Sequence, residues 1–431
     1  MQYYSLNRQA APVDFRTAAI TGQAPDGGLY FPEHIPSFSA DFLRKLPTLS
    51  AAEVAFAVMQ PYVGDTIPEE ELRRICAETV DFAFPLVPVT DLISALELFH
   101  GPTLAFKDVG ARFMSRCLGY FSRQETAPVT VLVATSGDTG GAVAHGFLGV
   151  EGVQVVILYP AGKVSPLQER QLTTLGQNIT ALEIQGNFDD CQRLVKQAFV
   201  DTELTSQMRL TSANSINVAR WLPQQIYYCL AWQQWAHPQP PVIAVPSGNF
   251  GNLCAGLVAY LSGLPVGHFV AACNANDAVP SYLRSGTYAA KEAVTTLSNA
   301  MDVGSPSNFG RVLELFEQEH HTISQLITGY SVSDTETQVT IQEVHAATGY
   351  VLDPHGAVAY RALEEYLRDN PAAQGGIFLE TAHPVKFREV VEPLLDETVP
   401  LPEALEPLMQ RPIVRVPLPA DYAALRDFLL K

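Results

Sequence analysis

The segment PVIAVPSGNFGN (residues 241–252) has the pattern of a buried strand, a tight turn and the start of a helix. Residues 241–246 are almost all apolar, which is typical of a strand covered on both faces. The SGNFGN turn then leads into a helix that starts near Leu253. Such a loop at a helix N-terminus can aim several backbone N–H groups at one phosphate. Read alone, it is equally an ordinary strand-to-helix turn in which Gly supplies a positive φ.

The same alternation of short apolar strands and helical stretches extends along the chain from about residue 95. Helices are predicted from Gly140 and from Asp189 to about Phe199. The other predicted strands are 129–136, 153–160, 179–186, 268–274 and 376–383. This alternation predicts an α/β fold with two lobes, built on mostly parallel sheets flanked by helices. In such sheets, ligands bind in the crevice at the carboxyl ends of the strands.

The first 85 or so residues form a separate region. They contain an irregular piece with the turn at 25–28, followed by helical patterns over 49–60 and 68–80. Residues 84–89 have the pattern of an extended crossover into the next region. We therefore predict a mainly helical N-terminal domain over 1–85 and a second region over 86–431. Within this second region, a smaller lobe over about 128–215 is expected, with a larger lobe from the rest.

Composition and charge narrow the class of protein. The chain has 431 residues, of which 47% are hydrophobic and 17% charged, as in a folded globular protein. Its formal charge of −18 argues against binding to nucleic acid or to an anionic membrane. The six cysteines show no C-x-x-C pair and no zinc spacing, so we expect no metal, reduced buried thiols and a cytoplasmic location.

Two segments bear on membrane targeting. The N-terminus, MQYYSLNRQAAPVDFR, has no apolar core of the kind that a signal peptide carries. The stretch from 253 to 273 has no formal charge and could be mistaken for a membrane span. Gly263, Pro265 and Gly267 interrupt it, so a helix followed by a buried strand is predicted instead.

Four further motifs carry polar or reactive side chains. In HGPTLAFKD (100–108), Lys107 follows apolar residues, and such surroundings lower the pKa of a lysine and make its amine nucleophilic. The alternative is a surface lysine at a helix start, paired with Asp108. ATSGDTGG (134–141) could hold a carboxylate or simply cap a helix. SANSINVAR (212–220) could bind an anion through its arginine or be a polar loop. ETAHPVKF (380–387) places a hydroxyl at a strand end.

Together these motifs resemble the threonine synthase family, which belongs to the tryptophan synthase β-like enzymes that use pyridoxal 5′-phosphate (PLP). The resemblance covers nearly the whole chain, and the motifs occur in the order found in the family. They are DGGLYFPE (26–33), TLAFKD (103–108), TSGDTG (135–140), GNFDDC (186–191), ANSINVAR (213–220), SGNFGN (247–252) and TAHPVKF (381–387).

The resemblance implies which residues bind the cofactor. Lys107 is expected to be the Schiff-base lysine, and Thr381 to supply the hydroxyl that faces the pyridine nitrogen. Many members of the wider superfamily have an Asn where this chain has Asp138. An Asn can donate to the O3′ atom of the cofactor, whereas an ionised carboxylate cannot. The residues expected to bind the cofactor phosphate are Ser247, Gly248, Asn249, Phe250, Gly251 and Asn252.

The resemblance also implies which residues bind the substrate. Ser136 and Thr139 are expected to form part of the loop that binds its carboxylate. Lys163 is a further candidate for the substrate phosphate. The main residues expected at that phosphate are Asn214, Ser215 and Arg220.

The activity implied is the conversion of O-phospho-L-homoserine and water to L-threonine and phosphate, the last step of threonine biosynthesis. The partner is then a small-molecule substrate, and the chain is expected to be a monomer or homodimer. Two alternatives remain open: a PLP-dependent phospho-lyase or dehydratase that releases a keto acid and ammonia, and a non-catalytic PLP-binding paralogue. The presence of Lys107, Thr381 and both anion loops argues against the paralogue. A nucleotide-binding module would need a glycine fingerprint that the chain lacks.

Overall fold

Three β-sheets organise the chain, whose structure, a computed structural model, describes residues 1–123 and 127–431. The strands of the described residues are β1 (Gln2–Ser5), β2 (Val13–Asp14), β3 (Tyr30–Pro32), β4 (Leu86–Pro88), β5 (Ile93–Glu97), β6 (Val129–Ala134), β7 (Val153–Pro160), β8 (Ile179–Gln185), β9 (Arg209–Thr211), β10 (Val242–Pro246), β11 (His268–Cys273), β12 (Ile327–Ser331), β13 (Gly376–Glu380) and β14 (Val416–Pro419).

Helices surround these sheets and connect their strands. They are α1 (Phe15–Thr21), α2 (Ala40–Lys45), α3 (Ala51–Val63), α4 (Glu69–Thr79), α5 (Lys107–Ser122), α6 (Asp138–Phe147), α7 (Pro166–Thr173), α8 (Phe188–Val200), α9 (Thr202–Gln207), α10 (Val218–Trp221), α11 (Gln225–Gln234), α12 (Gly251–Leu261), α13 (Ala278–Ser285), α14 (Phe309–Leu315), α15 (His320–Leu326), α16 (Asp334–Thr348), α17 (Pro354–Asp369), α18 (Arg388–Leu395), α19 (Glu406–Gln410) and α20 (Tyr422–Leu429). The predicted α/β class and all six predicted strands are confirmed.

The two larger sheets are mostly parallel. One has the order β12-β11-β10-β13-β5-β4, and only its edge pair β4–β5 is antiparallel. The other has the order β14-β8-β7-β6-β9 and is parallel throughout. Strands β6, β10 and β13 are buried along their whole length, as expected where helices cover both faces of a sheet. The loops after these three strands contain three of the motifs found in the sequence.

The N-terminal region has its own small sheet, which is antiparallel and has the order β2-β1-β3. Helix α3 begins with a capping box in which Ser50 and Glu53 each accept a hydrogen bond from the other's backbone N–H. Aromatic residues of this N-terminal region pack on the rest of the chain: Phe15 contacts Phe113, and the ring of Phe31 stacks on Trp221. The division at residue 85 stays a prediction.

The C-terminal strand is part of the five-stranded sheet. Strand β14 pairs with β8 in parallel, although it lies far beyond the 128–215 range predicted for the smaller lobe. Helix α12 and strand β11 occupy the uncharged stretch 253–273, so the helix-then-strand prediction is confirmed there. In the ranges that the structure describes, no helix is long and apolar enough to cross a bilayer.

Candidate active site

Lys107 is the first residue of α5, and Asp138 at the start of α6 is close enough to act on its charge. Its side chain is partly buried, with Nζ 5.7 Å from the centroid of the Phe106 ring. Burial lowers the pKa of Lys107. Asp138 opposes that effect, whereas the positive charges of Lys386 and Arg220 add to it. A lowered pKa increases the fraction of neutral amine, which is the nucleophilic form.

Asp108, the next residue, is not the partner of Lys107. Its carboxylate accepts hydrogen bonds from the N–H of Thr103 at 2.9 Å and from the Thr103 hydroxyl at 2.6 Å. Burial raises the pKa of Asp108 to about 6. The close packing extends to Gly101, because a Cβ there would lie 2.5 Å from the Asp108 carboxylate. The alternative of a surface lysine paired with Asp108 is therefore wrong.

The lysine motif lies directly beside the motif that contains Thr381. The N–H of Phe106 donates to the carbonyl oxygen of Thr381 at 2.9 Å, and the N–H of His383 donates to that of Leu104 at 3.1 Å. These bonds join segments that are far apart in sequence. The structure thus brings Thr381, which is buried, to the residue preceding Lys107.

The SGNFGN loop connects β10 to the N-terminus of α12. The side chains of Ser247 and Asn252 bind the carbonyl oxygens of Val245 and Pro246, each at 2.8 Å, and so hold the turn closed. Phe250 has a left-handed backbone with φ +61°, which is uncommon for a residue other than Gly. Among the described residues, the backbone N–H groups of 248–250 have no protein acceptor. Free N–H groups at a helix N-terminus fit a bound phosphate.

Ser215 connects this loop to the segment expected to bind the substrate phosphate. Its hydroxyl oxygen accepts hydrogen bonds from Asn249 at 2.7 Å and from Asn308 at 3.2 Å. The two predicted anion sites therefore lie next to each other. Asn214 lies one residue away and is partly exposed.

Two buried arginines lie in this region without a carboxylate partner. Arg220 is 3% exposed, its Nη1 donates to the carbonyl oxygen of Ala213, and its Nε has no partner among the described residues. Burial lowers its pKa to about 10. Arg311 donates to the carbonyl oxygens of Tyr30 at 3.0 Å and Ser215 at 3.3 Å, and burial lowers its pKa to about 9. In the described ranges neither forms a salt bridge, so both favour a nearby anion.

The TSGDTG turn is held by Thr135, whose hydroxyl oxygen accepts from the N–H groups of Gly137 and Gly140, both at 2.9 Å. The capping alternative is wrong for Ser136, Asp138 and Thr139, because the side-chain hydrogen bond to the first turn of α6 comes from Thr135. Ser136 and Thr139 are left partly exposed beside the site. Lys163, in contrast, lies exposed on the turn after β7.

Asp138 forms a buried ion pair that the sequence did not predict. Its Oδ1 lies 2.7 Å from Nζ of Lys386 and accepts from Gln168 at 2.9 Å. Burial alone would raise the pKa of Asp138, but Lys386 and Lys107 hold it well below its usual range. Asp138 is therefore ionised and cannot donate a hydrogen bond.

Sequence reasoning also missed four residues that support the site. Tyr227 donates to the carbonyl oxygen of Phe106, and Tyr228 donates to that of Asn252 at 2.6 Å. Lys386 and Arg311 are the other two. Only Lys386 carried a signal, since it falls within the TAHPVKF motif.

Comparison with known proteins gives first the class of this fold. Residues 86–378 match the family described as pyridoxal-phosphate dependent enzyme. Two further families match at the ends of the chain: threonine synthase N terminus over 2–80 and threonine synthase C-terminal over 356–429. The chain thus belongs to the PLP-dependent enzymes.

Individual relatives identify the family. Threonine synthases from Serratia marcescens and Escherichia coli are each 46% identical, and the alignment covers 100% of this chain and 99% of theirs. The crystal structure of the E. coli enzyme superimposes with a TM-score of 0.92 over the same shares. A PLP-bound threonine synthase from Brucella melitensis, 36% identical, also gives 0.92, over 100% of this chain and 98% of that one. The chain belongs to the threonine synthase family, which confirms the resemblance, the lyase class and the PLP cofactor.

Proposed function

We propose that the chain converts O-phospho-L-homoserine and water to L-threonine and phosphate, with Lys107 as the lysine that binds PLP. The observation that carries this proposal is that a partly buried lysine lies close to Arg220, a buried arginine that forms no salt bridge among the described residues. An amino group and uncompensated positive charge are what a phosphorylated amino acid and a phosphorylated cofactor require.

The cofactor fits the residues present. The loop 247–252 would hold its phosphate through the N–H groups of 248–250 and the N-terminus of α12. The hydroxyl of Thr381 would face the pyridine nitrogen. A hydroxyl is neutral and need not protonate that nitrogen, as an Asp would. When bound, PLP supplies the electron sink for the reaction, and the protein orients it.

The substrate would be oriented by its two acidic ends. Ser136 and Thr139, which are partly exposed at the start of α6, would bind the carboxylate. Asn214, Ser215 and Arg220 would bind the phosphate that leaves. Arg220 is the main contributor in this scheme, because its guanidinium is buried and carries no internal counter-ion among the described residues.

Lys107 would also move the protons. Its free amine would take the proton from Cα of the substrate and give that proton up before it takes a second one from Cβ. The second proton would go to Cγ after the phosphate leaves. Water would then add its hydroxyl at Cβ, its own proton would balance the charge of the released phosphate, and a proton would return to Cα. A group that does this must be neutral at working pH, and burial of Lys107 favours that state. The neutral hydroxyl of Thr381 would leave the pyridine nitrogen unprotonated, which would favour elimination and replacement over transamination.

We further propose that the chain acts in the cytoplasm as a monomer or homodimer. All six cysteines are free and buried, which fits a reducing compartment.

A product assay tests the proposed function. The purified chain with PLP is given O-phospho-L-homoserine, and threonine, phosphate, keto acid and ammonia are measured together. Threonine and phosphate in equal amounts are expected. A keto acid with ammonia in place of threonine would instead support the phospho-lyase or dehydratase alternative. Absence of all four products would contradict the proposal.

A further inference from the structure

Lys386 is a second lysine in the site, and the proposed mechanism gives it no task. Its side chain is fully buried, and its Nζ lies 2.7 Å from Oδ1 of Asp138. We infer that Lys386 is a positioning residue for Lys107: it occupies Asp138, so that Lys107 does not become the counter-ion of that carboxylate and stays a free amine. This inference rests on the proposed function, in which Lys107 is the lysine that binds PLP.

The geometry assigns Asp138 to Lys386. A buried carboxylate needs a counter-ion, because unpaired burial of a charge is costly. The side chain of Lys386 comes from the short turn Pro384–Phe387 and reaches Asp138 at the start of α6. Gln168 donates to the same carboxylate oxygen at 2.9 Å and fixes its position. Lys386 and Asp138 therefore form an ion pair in which both side chains are buried.

A second contact of Lys386 ties the pair to the lysine motif. Nζ of Lys386 donates to the carbonyl oxygen of Thr103 at 2.8 Å, and Gln171 donates to the same oxygen at 3.0 Å. Thr103 in turn binds Asp108, the residue after Lys107. Lys386 thus contacts the segment that positions Lys107 as well as the carboxylate that competes for its proton.

The charges around Lys107 act in opposite directions. Asp138 raises the pKa of Lys107, whereas Lys386 lowers it and offsets that effect. Without Lys386, the same carboxylate would stabilise the ammonium form of Lys107, which does not react with an aldehyde. Other charged or titratable side chains face this cluster. Arg220 lowers the pKa of Lys107, and Arg112 lowers that of Asp108. The charge of Lys386 lowers the pKa of His145 and of His383.

The inference is tested by the pH dependence of cofactor attachment, which does not require turnover. Full-length protein freed of cofactor is mixed with PLP across about pH 6 to 10, a range that spans a lowered lysine pKa, and the growth of the visible absorbance is timed. Borohydride reduction followed by peptide mass spectrometry identifies the lysine that carries the cofactor. The variants are Lys386→Met, Asp138→Asn and the double variant. Lys45→Met is the matched control, because Lys45 is paired with Asp41 on the exposed surface.

Lys386→Met should shift the pH midpoint of attachment to the alkaline side. A shift of about one to three units is expected, the effect of one opposite charge at short range. Asp138→Asn should shift the midpoint to the acid side, because Lys386 then lowers the pKa of Lys107 without the opposing charge of Asp138. The double variant, which lacks both charges, should fall between the two single variants. Lys45→Met should match the unmodified chain.

A purely structural ion pair would behave differently. In that case the variants would attach PLP more slowly by the same factor at every pH, and unchanged midpoints would overturn the inference. If Lys386→Met does not fold, the double variant must still have a more alkaline midpoint than Asp138→Asn. Equal midpoints there would also overturn it. An adduct on another lysine would overturn the assignment of Lys107 itself, and the inference with it.

Discussion

The N–H of Phe106 donates to the carbonyl oxygen of Thr381 at 2.9 Å, so the lysine motif and the C-terminal hydroxyl motif form one continuous wall of the site. An isolated antiparallel bridge between Ala105 and Ala382 extends this contact. Because the link is made by backbone atoms, it does not depend on the side chains at those positions. The side chains of Lys107 and Thr381 are therefore free to act on a ligand while their spacing stays constant.

Replacement of Lys107 tests the central assignment. Lys107→Ala should abolish the visible absorbance of the bound cofactor and lower turnover by at least about 10³-fold, because both the attachment point and the proton-transferring amine are lost. Absorbance spectra and threonine release measure the two effects. Lys45→Ala, an exposed lysine, is the control. A yellow and active Lys107→Ala protein would contradict the assignment.

Replacement of Arg220 tests the substrate phosphate site. Arg220→Ala should raise KM for O-phospho-L-homoserine by roughly 10- to 100-fold, since hydrogen bonds to charged groups contribute about 1.5–3 kcal/mol. Arg220→Lys should give a smaller increase, because it keeps the charge but loses the fork of donors. Steady-state kinetics and the cofactor absorbance are measured together.

The matched control for Arg220 is Arg73→Ala, an exposed arginine paired with Glu69. It should leave KM unchanged. An Arg220→Ala protein with normal cofactor absorbance and normal KM would remove Arg220 from the site.

The contact between Ser215 and Asn249 predicts that the two anion sites are coupled. Ser215→Ala should weaken cofactor binding as well as substrate binding, because the Asn249 side chain loses a hydrogen bond of 2.7 Å. A double-mutant cycle with Asn249→Ala should give a coupling of about 0.5–3 kcal/mol in the dissociation of PLP. Strictly additive effects would refute the coupling. Ser206→Ala, at an exposed position in α9, is the control.

Strands and loop motifs could be predicted from the sequence because both have local causes. Buried parallel strands require apolar runs, and tight turns at helix starts require Gly, Asn, Ser or Thr. The strands that were missed, such as β9 and β14, are short and lie partly exposed at sheet edges, so they carry little apolar signal. Their pairing depends on tertiary contacts.

The charged residues of the site show the other limit of prediction from sequence. Arg220 was found because it stands in a motif with several polar residues. Arg311 was missed because its partners, the carbonyl oxygens of Tyr30 and Ile216, are distant backbone atoms that no local pattern reveals. The role of Lys386 was missed for the same reason, since its burial depends on a turn that folds back onto Thr103. Burial of a charge is decided by the fold as a whole.

Glu380, the residue before Thr381, makes the stability of the fold depend on pH. Its side chain is fully buried, and its Oε1 accepts from the N–H of Asp353 at 2.8 Å. Burial raises the pKa of Glu380 well above its usual value, and the nearby charge of Asp353 adds to this. An unfolded chain releases this proton near pH 4.3, whereas the folded chain retains it. The stability that protonated Glu380 contributes is therefore fully present below about pH 4.3 and is lost as the pH rises through the folded pKa.

Glu380→Gln should remove this pH-dependent loss of stability, because the amide does not titrate. Its carbonyl oxygen can still accept a hydrogen bond from the N–H of Asp353. The variant should become more stable than the unmodified chain as the pH rises from about 5 to 8, by up to roughly 1.4 kcal/mol per pH unit. Thermal unfolding across that range measures the difference. Glu403→Gln, at an exposed position, should show no such trend. A difference in Tm between Glu380→Gln and the unmodified chain that stays constant with pH would show that Glu380 is already ionised in the folded protein.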